Sequence, residues 1–315
     1  FSIGANIMLS AIVGCVFATR FGLGYAGLII GSIITGAIGA VAAVGIITTG
    51  GWMFSLAVFL LSTIGWYEYR QIAAAKGKNV YYLSSGLGSV CISGFAAFAY
   101  YAGIEELFVM AFMAMFTALF FIFNAIEGLV RHCQCGETDW ASNTALSMWG
   151  MIYCGVLFAH VILLRSLYLG PHIDLGFRVF HPGELLLWIV LIGTWASDIF
   201  AYFVGRFFGK TPFCSVSPKK TFEGAVGGFV GCFMIVLAMC VVCLGIPLWQ
   251  GVVLGLAIAF FAPVGDLVES ILKRNFDVKD SGKLFPGHGG VLDRFDSLLF
   301  TAPITYYLML IFTLF

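Results

Sequence analysis

Charged residues are scarce in this sequence. They make up 10% of the 315 residues, whereas hydrophobic residues make up 61%, and the mean hydropathy is +1.01. A single soluble core cannot bury so much apolar surface. The composition therefore excludes an ordinary soluble domain and predicts an integral membrane protein.

Other features are missing too. The nine cysteines show no spacing typical of paired disulfides, and no basic segment precedes the first apolar run. We therefore expect reduced thiols and no cleavable signal peptide. The formal net charge of zero gives no indication of nucleic-acid binding, and we expect no nucleic-acid partner. His132, Cys133 and Cys135 form a short cluster without the second pair of ligands that a structural zinc site needs, so we interpret it as part of a cytoplasmic loop.

Apolar segments long enough to cross a bilayer, at roughly 20 residues each, dominate the chain. We predict ten spans, at approximately 2–19, 24–48, 51–70, 81–102, 105–130, 144–168, 184–205, 223–245, 248–272 and 297–314. Small residues such as Gly227 and Gly231 recur along them and allow close helix packing. The prediction is an all-α, polytopic membrane protein.

Lysine and arginine are distributed unevenly between the two sets of loops. Arg165 and Arg178 lie at or after the end of the sixth span, whereas the other 14 of the 16 basic residues lie at or after the ends of odd-numbered spans. Cytoplasmic loops are enriched in basic residues, so the odd loops are predicted to be cytoplasmic. The 14 are Arg20, Arg70, Lys76, Lys78, Arg131, Arg206, Lys210, Lys219, Lys220, Lys273, Arg274, Lys279, Lys283 and Arg294.

Three acidic residues, Asp198, Asp266 and Glu269, interrupt predicted spans near their cytoplasmic ends. Charges at membrane depth are costly, so each indicates a functional site. Asp266 and Lys273 lie seven residues apart, with Glu269 and Ser270 between them, which places them on one side of a helix. Pro263 is predicted to kink or restart this helix. An intrahelical Glu269–Lys273 ion pair without further function is the alternative.

The segment SPKKTFEG is predicted to bind an anion. Ser217 can cap a helix whose first residue is Pro218, which would leave Lys219 and Lys220 beside free backbone N–H groups. Thr221 and Glu223 follow at the membrane surface. An ordinary positively charged loop is the alternative.

The segment PGHGGVLDRFDS, residues 286–297, is glycine-rich and carries two aspartates. Its glycines allow close approach to a ligand, and Asp293 and Asp296 would lie on one side of the turn before the last span. Carboxylates with open geometry suit Mg²⁺. We therefore expect Asp266 and Asp293 to share a metal site.

The run SILKRNFDVKDSGKLFPGHGGVLDRFDS, Ser270 to Ser297, resembles the signature of phosphatidate cytidylyltransferases, also called CDP-diacylglycerol synthases. The matching residues are Ser270, Lys273, Arg274, Lys279, Asp280, Pro286, His288, Gly289, Gly290, Asp293, Arg294 and Asp296. The resemblance extends upstream to Asp198 and covers about residues 195–300. The first half is similar only in hydropathy and in the segment WYEYR.

The resemblance implies the Mg²⁺-dependent reaction of CTP with phosphatidate to give CDP-diacylglycerol and pyrophosphate. It also implies nine spans, which puts the first span or the division at 48–51 in question, and a polar cavity that opens to the cytoplasm. Residues 1–130 would then be N-terminal helices for packing, oligomer contacts or lipid contacts, and residues 131–315 the catalytic region of one integrated domain. A bacterial inner membrane is the expected location, and a homodimer is left open.

Roles follow from the resemblance for the residues that match. Asp266, Asp293 and Asp296 would hold metal, with a second cation left open near Asp296. The predicted catalytic residues are Asp266, Asp293, Lys273, Arg274 and Asp296. The predicted substrate contacts are Asp198, Ser217, Lys219, Lys220, Glu223, Lys279, Asp280, His288, Gly289, Gly290 and Arg294.

We expect His288 to order its loop or contact phosphate and not to act as a general base, because a phosphate monoester is already ionised near neutral pH. Two alternatives are an anion transporter, with Asp198 and Asp266 in a proton relay, and a transferase for another lipid acceptor.

Overall fold

The structure is a computed structural model that describes residues 43–213, 220–282 and 290–313. Residues 43–49 are helical. The helices that follow are α1 (Gly51–Ala74), α2 (Leu87–Ala102), α3 (Glu106–Cys135), α4 (Trp140–Gly150), α5 (Leu157–Ser166), α6 (Pro182–Phe208), α7 (Phe222–Met239), α8 (Leu248–Asn275) and α9 (Leu292–Phe312). Short π-helical segments at Tyr82–Gly86, Met151–Val156 and Cys240–Leu244 extend α2 and α7 and join α4 to α5. The described chain is therefore almost entirely helical, as predicted.

Within the described residues, seven helical segments are long and apolar enough to cross a membrane. They are Tyr82–Ala102, Glu106–Cys135, Trp140–Ser166, Pro182–Phe208, Phe222–Leu244, Leu248–Asn275 and Leu292–Phe312. Each corresponds to a predicted span. The predicted span 51–70 forms α1, which is not among the seven, while the span 2–19 and most of 24–48 lie outside the described residues.

Glycines set the close packing of α7 against α6. A Cβ atom at Gly228 would lie 2.7 Å from the carbonyl oxygen of Ser197, and one at Gly224 would lie 2.8 Å from that of Ala201. The predicted Gly227 and Gly231 face Val204 and Phe200 in the same interface. These glycines let the two backbones approach where larger residues would hold them apart, as predicted for membrane helices.

Two exposed ion pairs connect loops at the basic end of the bundle. Lys76 pairs with Asp277 at 2.9 Å, and Lys78 pairs with Asp139 at 2.5 Å. The loops after α1, α3 and α8 therefore lie on the same side of the protein. This is the side to which the distribution of lysine and arginine assigns them, and we call it the basic face.

The opposite end contains the two remaining arginines. Arg178 and the buried Arg165 both pair with the buried Glu184, at 2.9 and 3.5 Å. Arg165 also donates to the carbonyl oxygen of Ile47 at 3.1 Å. Between α5 and α6, β1 (Ile173–Asp174) and β2 (Val179–Phe180) form an antiparallel hairpin at this end. The separation of these arginines from the basic face agrees with the predicted topology.

Candidate functional site

The C-terminal half of α8 carries the predicted polar face. Ser270 Oγ lies 3.5 Å from Asp266 Oδ1, and Lys273 Nζ donates to Glu269 Oε2 at 2.9 Å. The helix continues without a break through Pro263, so it does not restart there, and the alternative, a kink at Pro263, stays a prediction. Asp266, Glu269 and Lys273 thus share one side of a single helix, which confirms the predicted spacing.

Lys273 connects α8 to α9. Its ammonium group pairs with Asp293 Oδ1 as well as with Glu269, so it lies between two carboxylates. Glu269 is 1% exposed, and its second oxygen, Oε1, has no hydrogen-bond partner among the described residues. The alternative interpretation of Lys273 as a simple intrahelical partner of Glu269 is therefore incomplete, because the same ammonium also binds the aspartate of the signature.

Asp293 is held by its own loop. Its Oδ2 accepts hydrogen bonds from the backbone N–H and hydroxyl of Ser281, at 2.8 and 2.7 Å, and from the N–H of Gly290 at 2.7 Å. The helix begins at Leu292, five residues before the predicted span, so Asp293 and Asp296 lie in its first turns and not in the preceding loop. This correction places both aspartates on a rigid element.

Gly265 allows α9 to approach the acidic side of α8. A Cβ atom at Gly265 would overlap the carbonyl oxygen of Asp296 and lie 3.0 Å from Ser297 Cα. The backbone of Asp296 is therefore in direct contact with the residue before Asp266. The two predicted metal-binding segments thus meet at the same depth.

Lys220 completes the cluster from the chain that precedes α7. Its ammonium group pairs with Asp266 Oδ2. The helix begins at Phe222, with Thr221 as its N-cap accepting from the N–H of Gly224 at 3.2 Å. Lys220 therefore precedes the helix, whereas the predicted start at Pro218 would have put it in the first turn. Ser217 and Lys219 lie outside the described residues.

Glu223 organises the loop between α6 and α7. Its carboxylate accepts from the backbone N–H groups of Lys210 and Thr211, at 3.1 and 3.2 Å, and from the Thr211 hydroxyl at 2.9 Å. These hydrogen bonds within the loop satisfy the Glu223 carboxylate without a ligand. Its predicted contact with substrate stays a prediction.

Two of the other predicted residues, Asp198 and Gly290, lie beside this cluster. On α6, Asp198 lies close enough to interact electrostatically with Lys220 and with Asp296. The buried Gly290 contributes its N–H to Asp293. Exposed side chains at the basic face belong to Arg274, Lys279, Asp280 and Arg294. His288 and Gly289 lie outside the described residues.

Sequence reasoning missed Glu68, which belongs to α1. Its Oε1 accepts from the N–H of Val291 at 2.9 Å, and its Oε2 accepts from the N–H of Leu292 at 3.1 Å. Glu68 is 5% exposed and more than two hundred residues away in sequence. The similarity of the segment WYEYR was the only sequence signal, and it did not indicate which residue Glu68 contacts.

The described residues contain no group of three or more His, Cys, Asp and Glu side chains arranged to hold a metal ion. Instead, lysine ammonium groups lie beside Asp266 and Asp293. A cavity of about 560 Å³, lined by residues including Met110, His160 and Tyr307, has none of the predicted site residues in its lining. The carboxylates of α8 and α9, Lys273 of α8 and Lys220 just before α7 therefore form the candidate site, in which both lysines are paired with carboxylates.

Comparison with known proteins identifies the family. The model of the cytidylyltransferase family matches residues 31–312, which include every residue of the candidate site. The chain belongs to the cytidylyltransferase family.

Named relatives within the family share much of this chain. It is 34% identical over 300 residues to the phosphatidate cytidylyltransferase of Synechocystis sp., covering 89% of this chain and 96% of that protein. Phosphatidate cytidylyltransferase 5, chloroplastic, of Arabidopsis thaliana is 33% identical over 284 residues, which are 83% of this chain and 67% of that protein. The Bacillus subtilis phosphatidate cytidylyltransferase is 40% identical over 164 residues, covering 51% of this chain and 56% of that protein. The similarity to the first two proteins thus extends far beyond the signature.

Proposed function

We propose that this protein is a phosphatidate cytidylyltransferase, which converts CTP and phosphatidate to CDP-diacylglycerol and pyrophosphate. Family membership and the names of its relatives support this assignment. The single structural observation that carries it is the cluster in which Lys220 and Lys273 pair with Asp266 and Asp293. Such a cluster can exchange its internal ion pairs for contacts with phosphate.

The reaction joins two polyanions. An oxygen of the phosphatidate phosphate attacks the α-phosphorus of CTP, the bond to the bridging oxygen breaks, and pyrophosphate leaves with that electron pair. Catalysis of such transfers depends mainly on positioning and on electrostatic stabilisation. Lys220 and Lys273 would lower the repulsion between the phosphates. Lys219 and Arg274 would add positive charge at the same face.

The donor set fits Mg²⁺, which prefers carboxylate oxygens and leaves positions for water and phosphate. Asp266 and Asp293 are paired with lysines in this structure and do not form a three-ligand group with Asp296. Asp266, Asp293 and Asp296 would hold the ion once Lys220 and Lys273 turn to phosphate, and a second cation near Asp296 stays open. Asp293 would contribute through Oδ1, because its Oδ2 already accepts three hydrogen bonds. When bound, the ion would neutralise phosphate charge.

The remaining predicted residues would contact substrate. Asp198, Ser217, Glu223, Lys279, Asp280, His288, Gly289, Gly290 and Arg294 are assigned this role by their match to the family pattern or by their place beside it. The proposal includes nine or ten transmembrane helices and a polar cavity that opens to the cytoplasm. It also includes a catalytic region at 131–315, an N-terminal helical region at 1–130 and a bacterial inner membrane, and it leaves a homodimer open.

Purified protein incubated with labelled CTP, phosphatidate and Mg²⁺ should form a lipid-soluble cytidine product. The Asp266→Asn variant should insert and purify normally, yet its turnover should fall at least 100-fold. The matched control is Asp174→Asn, an exposed aspartate in the hairpin at the opposite end, which should keep wild-type rates. Chelation of divalent cations should abolish turnover.

Several outcomes would contradict the proposal. Wild-type turnover in Asp266→Asn would exclude its assignment as a metal ligand. Full activity in excess chelator would exclude the magnesium requirement. Turnover with polyprenyl phosphate and none with phosphatidate would exclude the proposed acceptor. Transport of the nucleotide into proteoliposomes without turnover would exclude a transferase.

A further inference from the structure

Glu68 makes contacts that tie the N-terminal half of the chain to the signature segment. Both of its oxygens accept backbone N–H groups at the start of α9, from Val291 and Leu292. Oε2 also lies 3.4 Å from the hydroxyl of Ser281, the residue that donates twice to Asp293. A carboxylate at a helix N-terminus satisfies N–H groups that have no partner within the helix.

The surrounding backbone is shaped around this carboxylate. A Cβ atom at Gly282 or at Gly290 would collide with the Glu68 side chain. Both glycines therefore leave room for Glu68, one before and one after the segment 283–289. Ser281 and Gly290 are the same residues whose groups fix Asp293 Oδ2. A shift of the Glu68 carboxylate would therefore be transmitted to Asp293 through Ser281 and through Gly290.

We propose that Glu68 is a positioning residue for cytidylyl transfer. It holds Ser281, Gly290 and the first turn of α9, so that the Asp293 carboxylate points to the position that the Lys273 ammonium group occupies in this structure. This inference rests on the proposed function. Glu68 does not touch the reacting atoms itself. It acts through the residues that orient the signature aspartate.

A purely structural role would also make Glu68 important for folding, so the test needs a matched control. Glu127 is another buried glutamate in the N-terminal half, at 8% exposure, and its Oε2 accepts the backbone N–H of Ser84 at 2.9 Å. Glu127 contacts Arg131 and the π-helical segment Tyr82–Gly86 before α2, and neither belongs to the candidate site. Replacing either glutamate by glutamine keeps the size and removes one acceptor oxygen.

We expect Glu68→Gln to fold, to lower kcat at least 10-fold and to raise the Mg²⁺ concentration for half-maximal turnover. Glu127→Gln should lower thermal stability and leave kcat and the Mg²⁺ requirement within twofold of wild type. Amide hydrogen exchange at residues 290–293 should accelerate in Glu68→Gln and stay unchanged in Glu127→Gln. Wild-type kinetics in Glu68→Gln, or equal kinetic losses in both variants, would overturn the proposal.

A second variant covers the case in which Glu68→Gln does not fold. Ser281→Ala removes only the hydroxyl that lies between Glu68 and Asp293. It should lower kcat and raise the Mg²⁺ requirement in the same direction, and unchanged kinetics would overturn the proposal. The exchange measurement does not depend on turnover. Failure of the wild-type protein to use CTP and phosphatidate would therefore reject the proposed function separately from the anchoring of α9.

Discussion

Lys273 is the residue on which the charges of the site converge. Its ammonium group lies between Glu269 and Asp293, and all three side chains are largely removed from solvent. Burying two carboxylates near one lysine costs solvation energy that the ion pairs offset only while the lysine is present. The cluster is therefore sensitive to the loss of this cation.

Lys273→Ala should destabilise the protein by about 3–5 kcal/mol, because removal of one partner leaves buried carboxylates unpaired. Thermal unfolding in detergent would measure the effect. Lys279→Ala is the stability control, since Lys279 is an exposed lysine six residues further along, and surface changes usually alter stability by less than about 0.5 kcal/mol. Equal melting temperatures for the two variants would show that the Lys273 pairs contribute nothing to stability.

The polar face of α8 could be predicted because helical periodicity depends only on local sequence. Asp266, Glu269 and Lys273 recur at helical spacing, and the structure keeps that spacing. Helix starts were predicted less well. Ser-Pro at 217–218 is a strong local cap signal, yet the helix begins after Thr221, which fits beside Gly205 and Gly209 of the neighbouring segment. Tertiary packing decided that boundary.

The contact between α8 and α9 gives an element-scale prediction. Gly265→Ala would place a methyl group against the backbone of Asp296 and Ser297, so the helices must separate. Overpacking of this kind costs about 1–3 kcal/mol, and the shift should also reduce turnover by moving Asp296 away from Asp266. Melting temperature and CTP turnover would be measured together.

Gly45→Ala is the matched control for that substitution. Gly45 lies in the helical residues 43–49, and a Cβ atom there would meet nothing within 4 Å. Because alanine favours helix over glycine, this variant should be neutral or slightly stabilised. If Gly265→Ala behaved like Gly45→Ala, the close approach of α8 and α9 would not be required.

The arrangement of loops around the bundle could be derived from charge alone. Fourteen of the 16 basic residues were assigned to one side, and ion pairs between three loops agree with that assignment. The part played by Glu68 could not be derived, since it depends on which distant segments meet. A single sequence carries composition and periodicity, whereas contacts between α1 and α9 come from the packed fold.

Topology can be tested with a membrane-impermeant maleimide in a background without Cys91, Cys133 and Cys135, the exposed cysteines of the described residues. A cysteine in place of Phe177, in the hairpin, should react in right-side-out vesicles. A cysteine in place of Lys279 should react only in inside-out vesicles. Labelling of both positions from the same side would refute the assignment of the basic face to the cytoplasm.

Helix α3 is long and sparsely covered. It has 30 residues, and 11% of its most apolar stretch is buried within the protein. A helix of that length extends about 45 Å, whereas the hydrocarbon layer measures about 30 Å. The excess must be accommodated by tilt or by protrusion, and both depend on bilayer thickness. Glu127 of α3 accepts a hydrogen bond from the backbone just before α2. A change in bilayer thickness that tilts α3 would therefore also shift α2 in the N-terminal half of the protein.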